Sequence, residues 1–183
     1  MTDLKRNIIV GGVSLALLAG SAVTLLTSPS QAAVPDKSAI YCLGEWRSPE
    51  EVSAINALAR MLYGEARGVP STTEKAACVW VVLNRVDDPR WSDDIIEVLS
   101  QPKQFCGYRE SFPVEDWART LAADVYDRWQ AEKAGADEGE VMRVIPADYY
   151  FWCGSKTGKR NYFRKEFEDC ALWQWTNDSP YED

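Results

Sequence analysis

The sequence predicts a mainly α domain with one small β-hairpin near its C-terminus. Three observations carry that expectation. Ser48 and Ser71 each stand three residues ahead of a glutamate and open an apolar run with helical spacing, the pattern of a capped helix start. The stretch from Ala76 to Leu83 is apolar over much of its girth, as in a helix buried on all sides. Val, Ile and Tyr become frequent between Val141 and Phe151, where short strands are the better reading.

Taken in order, residues 1–32 read as an export signal. Lys5 and Arg6 precede an uncharged apolar run from Ile8 to Leu26, and Ser30-Gln31-Ala32 offers small residues where a signal peptidase reads. An uncleaved anchor is the alternative, because the run is long. Nothing downstream is apolar for long enough to span a membrane, so no membrane insertion is expected after cleavage. Removing Lys5, Arg6 and Asp3 leaves 18 basic and 27 acidic residues, a formal charge of −9. That excess argues against nucleic acid as a partner.

Residues 33–47 read as a connector and residues 48–178 as the domain. Ser48 caps the first helix, Pro49 suits its first position, and Glu51 closes a capping box. Val52, Ile55, Leu58, Ala59 and Leu62 form one apolar stripe, and the next position in phase is Glu65. Gly64 and Gly68 loosen the backbone, so the helix is expected to end there. Ser71 and Glu74 open a second helix, from Thr72 to Val86, by another capping box. Ser92, Asp93 and Asp94 start a short third one, reaching Ser100.

A loop from Gln101 to Pro113 leads to the longest helix, from Glu115 to Ala134, with Trp117, Leu121, Val125 and Trp129 inward. Gly135 to Gly139 is a polar break. Tyr149 to Cys153 and Tyr162 to Phe167 are expected as strands around Gly154 to Arg160. Residues 179–183 are a tail, expected to fray after Pro180.

The chain has no histidine, which removes Ser-His-Asp and Cys-His catalysis and His-ligated metals. All five cysteines lie beyond the signal, where pairing is expected. Cys78 falls on the apolar face of the second helix and is the odd one out. Cys42, Cys106, Cys153 and Cys170 are left for two bridges, with Cys153–Cys170 the first choice. No spacing suits zinc, and no metal or cofactor is expected.

Glu65 is the candidate catalytic acid. A carboxylate at a helix C-terminus faces the negative end of the dipole, and partial burial disfavours its charge. Both effects favour a group that holds a proton, as the general acid of glycosidic cleavage must. The plain alternative is a surface acid paired with Arg67. Candidate substrate contacts are Gln104, Phe105, Tyr150 and Phe151, because loops rich in rings and amides suit sugars. Asn84 joins them, either on substrate or locking the loop that carries Glu65.

The blocks Gly64-Glu65-Ala66-Arg67-Gly68, Leu83-Asn84-Arg85-Val86 and Gln104-Phe105, in this order and separation, resemble the SleB-type cell wall hydrolase family, the spore-cortex-lytic enzymes. The resemblance is closest from Glu50 to Tyr108, and looser at Asp148 to Phe151 and Asn161 to Phe163. It implies a lysozyme-like helical fold, cleavage of the glycan strand of peptidoglycan, and Glu65 as the acid. It also implies a lytic transglycosylase that leaves 1,6-anhydromuramyl ends. That family carries His near the position of Asn161, so no His role transfers. The expected partner is the MurNAc-GlcNAc strand, met by a monomer in the periplasm or outside the cell. The alternatives are a hydrolytic muramidase, with Asp87, Asp88, Asp93, Asp94 or Glu166 as a second carboxylate, and a non-catalytic glycan-binding envelope protein.

Overall fold

The computed structural model describes residues 40–42, 45–168 and 179–181. The expected signal and the proposed cleavage point lie outside them. The described part is mainly helical. Its elements are β1 (Ile40–Cys42), β2 (Glu45–Arg47), α1 (Pro49–Glu65), α2 (Thr72–Asp87), α3 (Ile95–Ser100), α4 (Asp116–Lys133), α5 (Glu138–Val141), β3 (Phe151–Gly154) and β4 (Asn161–Arg164).

The described residues of the connector, Ile40–Cys42 and Glu45–Arg47, form strands that the sequence reading did not include. β1 and β2 form an antiparallel hairpin with Tyr41 opposite Trp46. Arg47, buried, donates through both arms of its guanidinium to Asp127 of α4, at 2.7 and 2.6 Å. This two-pronged ion pair fastens the entry of α1 to the longest helix.

The start of α1 is as the sequence dictates. Ser48 Oγ accepts from Glu51 N–H at 3.1 Å, and Glu51 Oε2 accepts from Ser48 N–H at 2.8 Å. Ile55, Leu58, Ala59, Met61 and Leu62 are buried, and α1 packs on α4, α3 and α2. In α2 every residue but Thr72, Lys75 and Asp87 is buried, so it is the central helix. Asp94, rather than Ser92, caps α3 by accepting from Glu97 N–H. α4 buries Leu121, Val125 and Trp129, together with Ala118, Ala122 and Tyr126.

Several expectations are corrected. Trp117 is 39% exposed, its ring lying under the Lys75 ammonium instead of in the core. The break after α4 contains the short helix α5, capped by Asp137. Tyr181 does not fray: its hydroxyl donates to Asp124 at 2.6 Å. Ser71 caps α2, but the Glu74 side chain does not return to its own cap; it leaves the helix for β4, as described below. The β3–β4 hairpin stands close to where it was expected, with Trp152 opposite Phe163 and Cys153 opposite Tyr162.

Gly64 lies inside α1 and does not loosen it. A Cβ there would meet Gly107 O at 1.9 Å and Gly107 C at 2.7 Å. The glycine is needed because the 101–113 loop runs its backbone directly against the last turn of the helix. The loop is pinned at the same place by Arg60 Nε donating to Phe112 O (3.1 Å) and by the Tyr63 ring meeting Phe112 edge-on at 5.2 Å.

Gly64→Ala is therefore expected to cost about 1–3 kcal/mol of stability through forced backbone displacement. Gly68→Ala is the control, since its Cβ would lie 3.2 Å from Gly158 O, a contact that a small shift relieves. Thermal denaturation of both variants checks this; equal melting temperatures would refute the backbone-contact argument.

Candidate active site

Glu65 is the last residue of α1 and is part-buried. Its Oε1 accepts from Gly107 N–H at 2.5 Å. Among the described residues Oε2 has no hydrogen-bond partner. Arg67, the ion-pair partner of the plain alternative, instead lies over the Tyr63 ring at 4.9 Å. The carboxylate is thus oriented by one backbone donor, with its second oxygen left for chemistry. Gly107 is also tight against it: a Cβ there would come within 2.9 Å of Glu65 Oε1 and of Gly64 O.

The thiol of Cys78 feels the charge of Glu65. It is free and fully buried, as its place in the helix predicts. Burial pushes it well above the usual thiol range, and the charges of Glu65 and Glu74 push it further. Asn161 Nδ2 donates to its sulfur at 3.4 Å. One helical turn earlier, Glu74 is 4% exposed and accepts from Asn161 N–H at 2.7 Å and from Arg160 Nε at 3.2 Å. So Glu74 and Cys78 hold the start of β4 against α2, in the electrostatic neighbourhood of Glu65.

The loop and hairpin residues expected to touch substrate gather around Arg85. Arg85 is 3% exposed, and burial lowers it to about 10, still charged at neutral pH. Its Nε donates to Tyr150 O at 2.8 Å and its Nη1 to Gln104 Oε1 at 2.9 Å. Its guanidinium carbon lies 4.9 Å from the Phe105 ring, 4.9 Å from Phe151 and 5.3 Å from Trp91. Gln104 is exposed, Tyr150 and Phe151 are half-buried, and Phe105 is buried. Tyr150 packs on Trp91 at 5.1 Å with Arg90 over its ring at 4.4 Å; burial, then Asp88, raises its hydroxyl.

Asn84 is 2% exposed and sits beneath this cluster. Its amide donates to Pro146 O at 3.0 Å and Tyr149 O at 2.8 Å, and its oxygen accepts from Arg143. It locks the segment leading into β3, and not the loop that carries Glu65.

Four of the five acids weighed as a second carboxylate are engaged elsewhere, and the fifth, Asp93, is exposed beside Glu50 and Glu51 at the start of α1, roughly 20 Å along that helix from Glu65. Asp87 accepts from Trp129 Nε1 and Lys133, and Asp88 from Arg90, which holds its carboxyl down to about 2. Glu166 also meets Arg90, and Asp94 caps α3. Along α2, Asp87 lies about 13 Å beyond Cys78. Cys106 and Cys153 are free and exposed, so the two expected bridges do not form through them; Cys170, the expected partner of Cys153, lies outside the described residues. Among the described residues no group of three His, Cys, Asp or Glu side chains could hold a metal ion.

Gly107 N–H, the group that orients Glu65, carries no signal at the level of residue types, since any residue but proline supplies a backbone donor. Glu74 did carry a signal: an acid three positions into a helix buried on nearly every side needs a partner from outside that helix.

Against known families, residues 70–178 match the cell wall hydrolase family. The chain belongs to that family. It is accordingly an enzyme of the peptidoglycan-acting class. The match takes in α2, the Arg85 cluster and the β3–β4 hairpin, and begins five residues after Glu65. No curated protein and no solved structure matches the chain.

Glu74→Ala is expected to leave Asn161 N–H buried without an acceptor, at a cost of about 1–3 kcal/mol. Amide exchange at Asn161 and Phe163 should quicken more than exchange in α1. If exchange at β4 stays at the wild-type rate, Glu74 does not hold the hairpin.

Proposed function

We propose that this cell wall hydrolase is an exported lytic transglycosylase that cleaves the MurNAc-GlcNAc strand with Glu65 as its only acid and base. The observation that carries the proposal is the state of Glu65: part-buried, fixed at Oε1 by Gly107 N–H, and unengaged at Oε2 among the described residues. In the first half of the reaction the Glu65 carboxyl gives its proton to the glycosidic oxygen. The bond from that oxygen to the muramic C1 then breaks. In the second half the C6 hydroxyl of the same sugar attacks C1 and gives its proton to the Glu65 carboxylate. The 1,6-anhydro ring forms, the acid is restored, and no water is consumed.

An enzyme using water would need a second carboxylate to activate it. Asp87, Asp88, Asp94 and Glu166 are committed to ion pairs or a cap, Glu74 is buried with partners on both oxygens, and Asp93 stands at the far end of α1 from Glu65. An internal hydroxyl needs no such base of its own and benefits from an effective molarity worth roughly 7–11 kcal/mol at best.

Digestion of purified peptidoglycan followed by mass spectrometry tests the reading. Anhydromuramyl ends are expected, and reducing ends carrying an added water would establish the muramidase alternative instead. Glu65→Gln should lose roughly 10²–10⁴ in rate with an unchanged melting temperature. Full activity in that variant would end the proposal, and a folded chain without any lytic activity would favour a glycan-binding role. Export rests on Lys5, Arg6 and the Ile8 to Leu26 run. N-terminal sequencing of the mature protein should read Ala33 first, and a retained Met1 would indicate an anchor.

A further inference from the structure

Gln104 is an exposed side chain whose orientation is set by a buried cation. A guanidinium has donors only, so the one amide atom it can face is the oxygen. Arg85 Nη1 donates to that oxygen at 2.9 Å. The Gln104 NH₂ group is thereby turned away from Arg85, and among the described residues it has no partner. An exposed glutamine is ordinarily free to exchange its two ends; this one is held to present donors.

The hold is firm because Arg85 has few alternatives. It is 3% exposed, its Nε is taken by Tyr150 O, and no carboxylate pairs with it among the described residues. Rings of Phe105, Phe151 and Trp91 surround the charge. Such rings attract a cation through their faces but cannot accept a directed hydrogen bond of carbonyl strength. The Gln104 oxygen is the second strong acceptor that the guanidinium finds.

Gln104 stands three residues before Gly107, the donor that orients Glu65. Three residues span at most about 10 Å of chain, so the backbone of Gln104 lies within that distance of the donor that orients Glu65. We infer that Gln104 is a specificity-determining residue that reads the N-acetyl carbonyl of the glycan, with Arg85 as the positioning residue that fixes the direction of reading. This deepens the proposed function and rests on it. The acetyl carbonyl is an acceptor only and complements an NH₂ group. A de-N-acetylated sugar offers an ammonium, which would face donors and, behind them, a buried positive charge. Discrimination then comes from the mismatch as well as from the match.

The test compares kcat/KM on glycan strands before and after de-N-acetylation, for wild type, Gln104→Ala and Gln104→Glu. Wild type is expected to prefer the acetylated strand roughly ten-fold, the worth of one such hydrogen bond. In Gln104→Ala the ratio should fall towards one. In Gln104→Glu, which offers only acceptors, it should pass below one. Gln104→Ala takes an acceptor from buried Arg85 and is expected to lower the melting temperature, whereas Gln104→Glu keeps an oxygen there and should fold as wild type, so it carries the test if the first variant unfolds. A wild-type ratio retained in both variants overturns the inference while leaving the transglycosylase reading in place. If wild type cleaves neither strand, the function itself fails, and calorimetric binding of the same two strands decides the matter: loss of acetyl preference in Gln104→Ala supports the inference, and unchanged preference or no binding overturns it.

Discussion

The candidate site depends on two backbones meeting where neither residue has a side chain. Gly64, in the last turn of α1, and Gly107, in the following loop, are so close that a Cβ on the first would lie 1.9 Å from the carbonyl of the second. That contact brings Gly107 N–H to Glu65 Oε1. A backbone donor suits this task, since it cannot rotate away or change its protonation. The cost is that the loop must be held from several sides. Arg60 on Phe112 O, Tyr63 on the Phe112 ring, and Arg85 on Gln104 supply those holds.

Two buried charges on α2 are accommodated in opposite ways. Glu74 has the charged partner Arg160 and a backbone N–H, so both oxygens are satisfied. Arg85 has neutral oxygens and ring faces instead of an anion. A buried charge left unpaired is among the costliest features a fold can carry. Each therefore recruits chain from elsewhere: Glu74 draws in β4, while Arg85 draws in the 101–113 loop and the lead into β3. The central helix is apolar enough to make the core and carries the two charges that arrange the segments around it.

Much of this was legible in the sequence, for identifiable reasons. Ser48, Pro49 and Glu51 act on neighbours within one turn, so the start of α1 could be read locally. The apolar run of α2 announced its burial, and the phase of the α1 stripe placed Glu65 at the helix end. What escaped was decided by distant partners. The second capping box fails in its return half because Asn161 N–H, 87 residues away, competes for the Glu74 carboxylate. Trp117 was assigned inward by spacing, but Lys75 offers its ring a cation at the surface. The connector's hairpin ends on Arg47, whose partner Asp127 is 80 residues on. Gln104, Phe105, Tyr150 and Phe151 gather around Arg85, and an arginine near a helix end gives no sign in the sequence that it will be buried and draw distant segments to it.

The position of Glu74 also bears on how many acids the chemistry can use. It is the second carboxylate that shares the surroundings of Cys78 with Glu65, and by proximity alone it would be the natural partner in a two-carboxylate mechanism. Its environment argues otherwise. A general base must reach a water molecule in line with the bond being broken. Glu74 is 4% exposed, and its two oxygens are occupied by Arg160 and Asn161. Freeing either oxygen would release the hairpin that it anchors. Under the proposed transglycosylase reading, a site whose neighbouring carboxylate serves architecture draws its nucleophile from the substrate, and the C6 hydroxyl of the cleaved sugar is the group that meets that need.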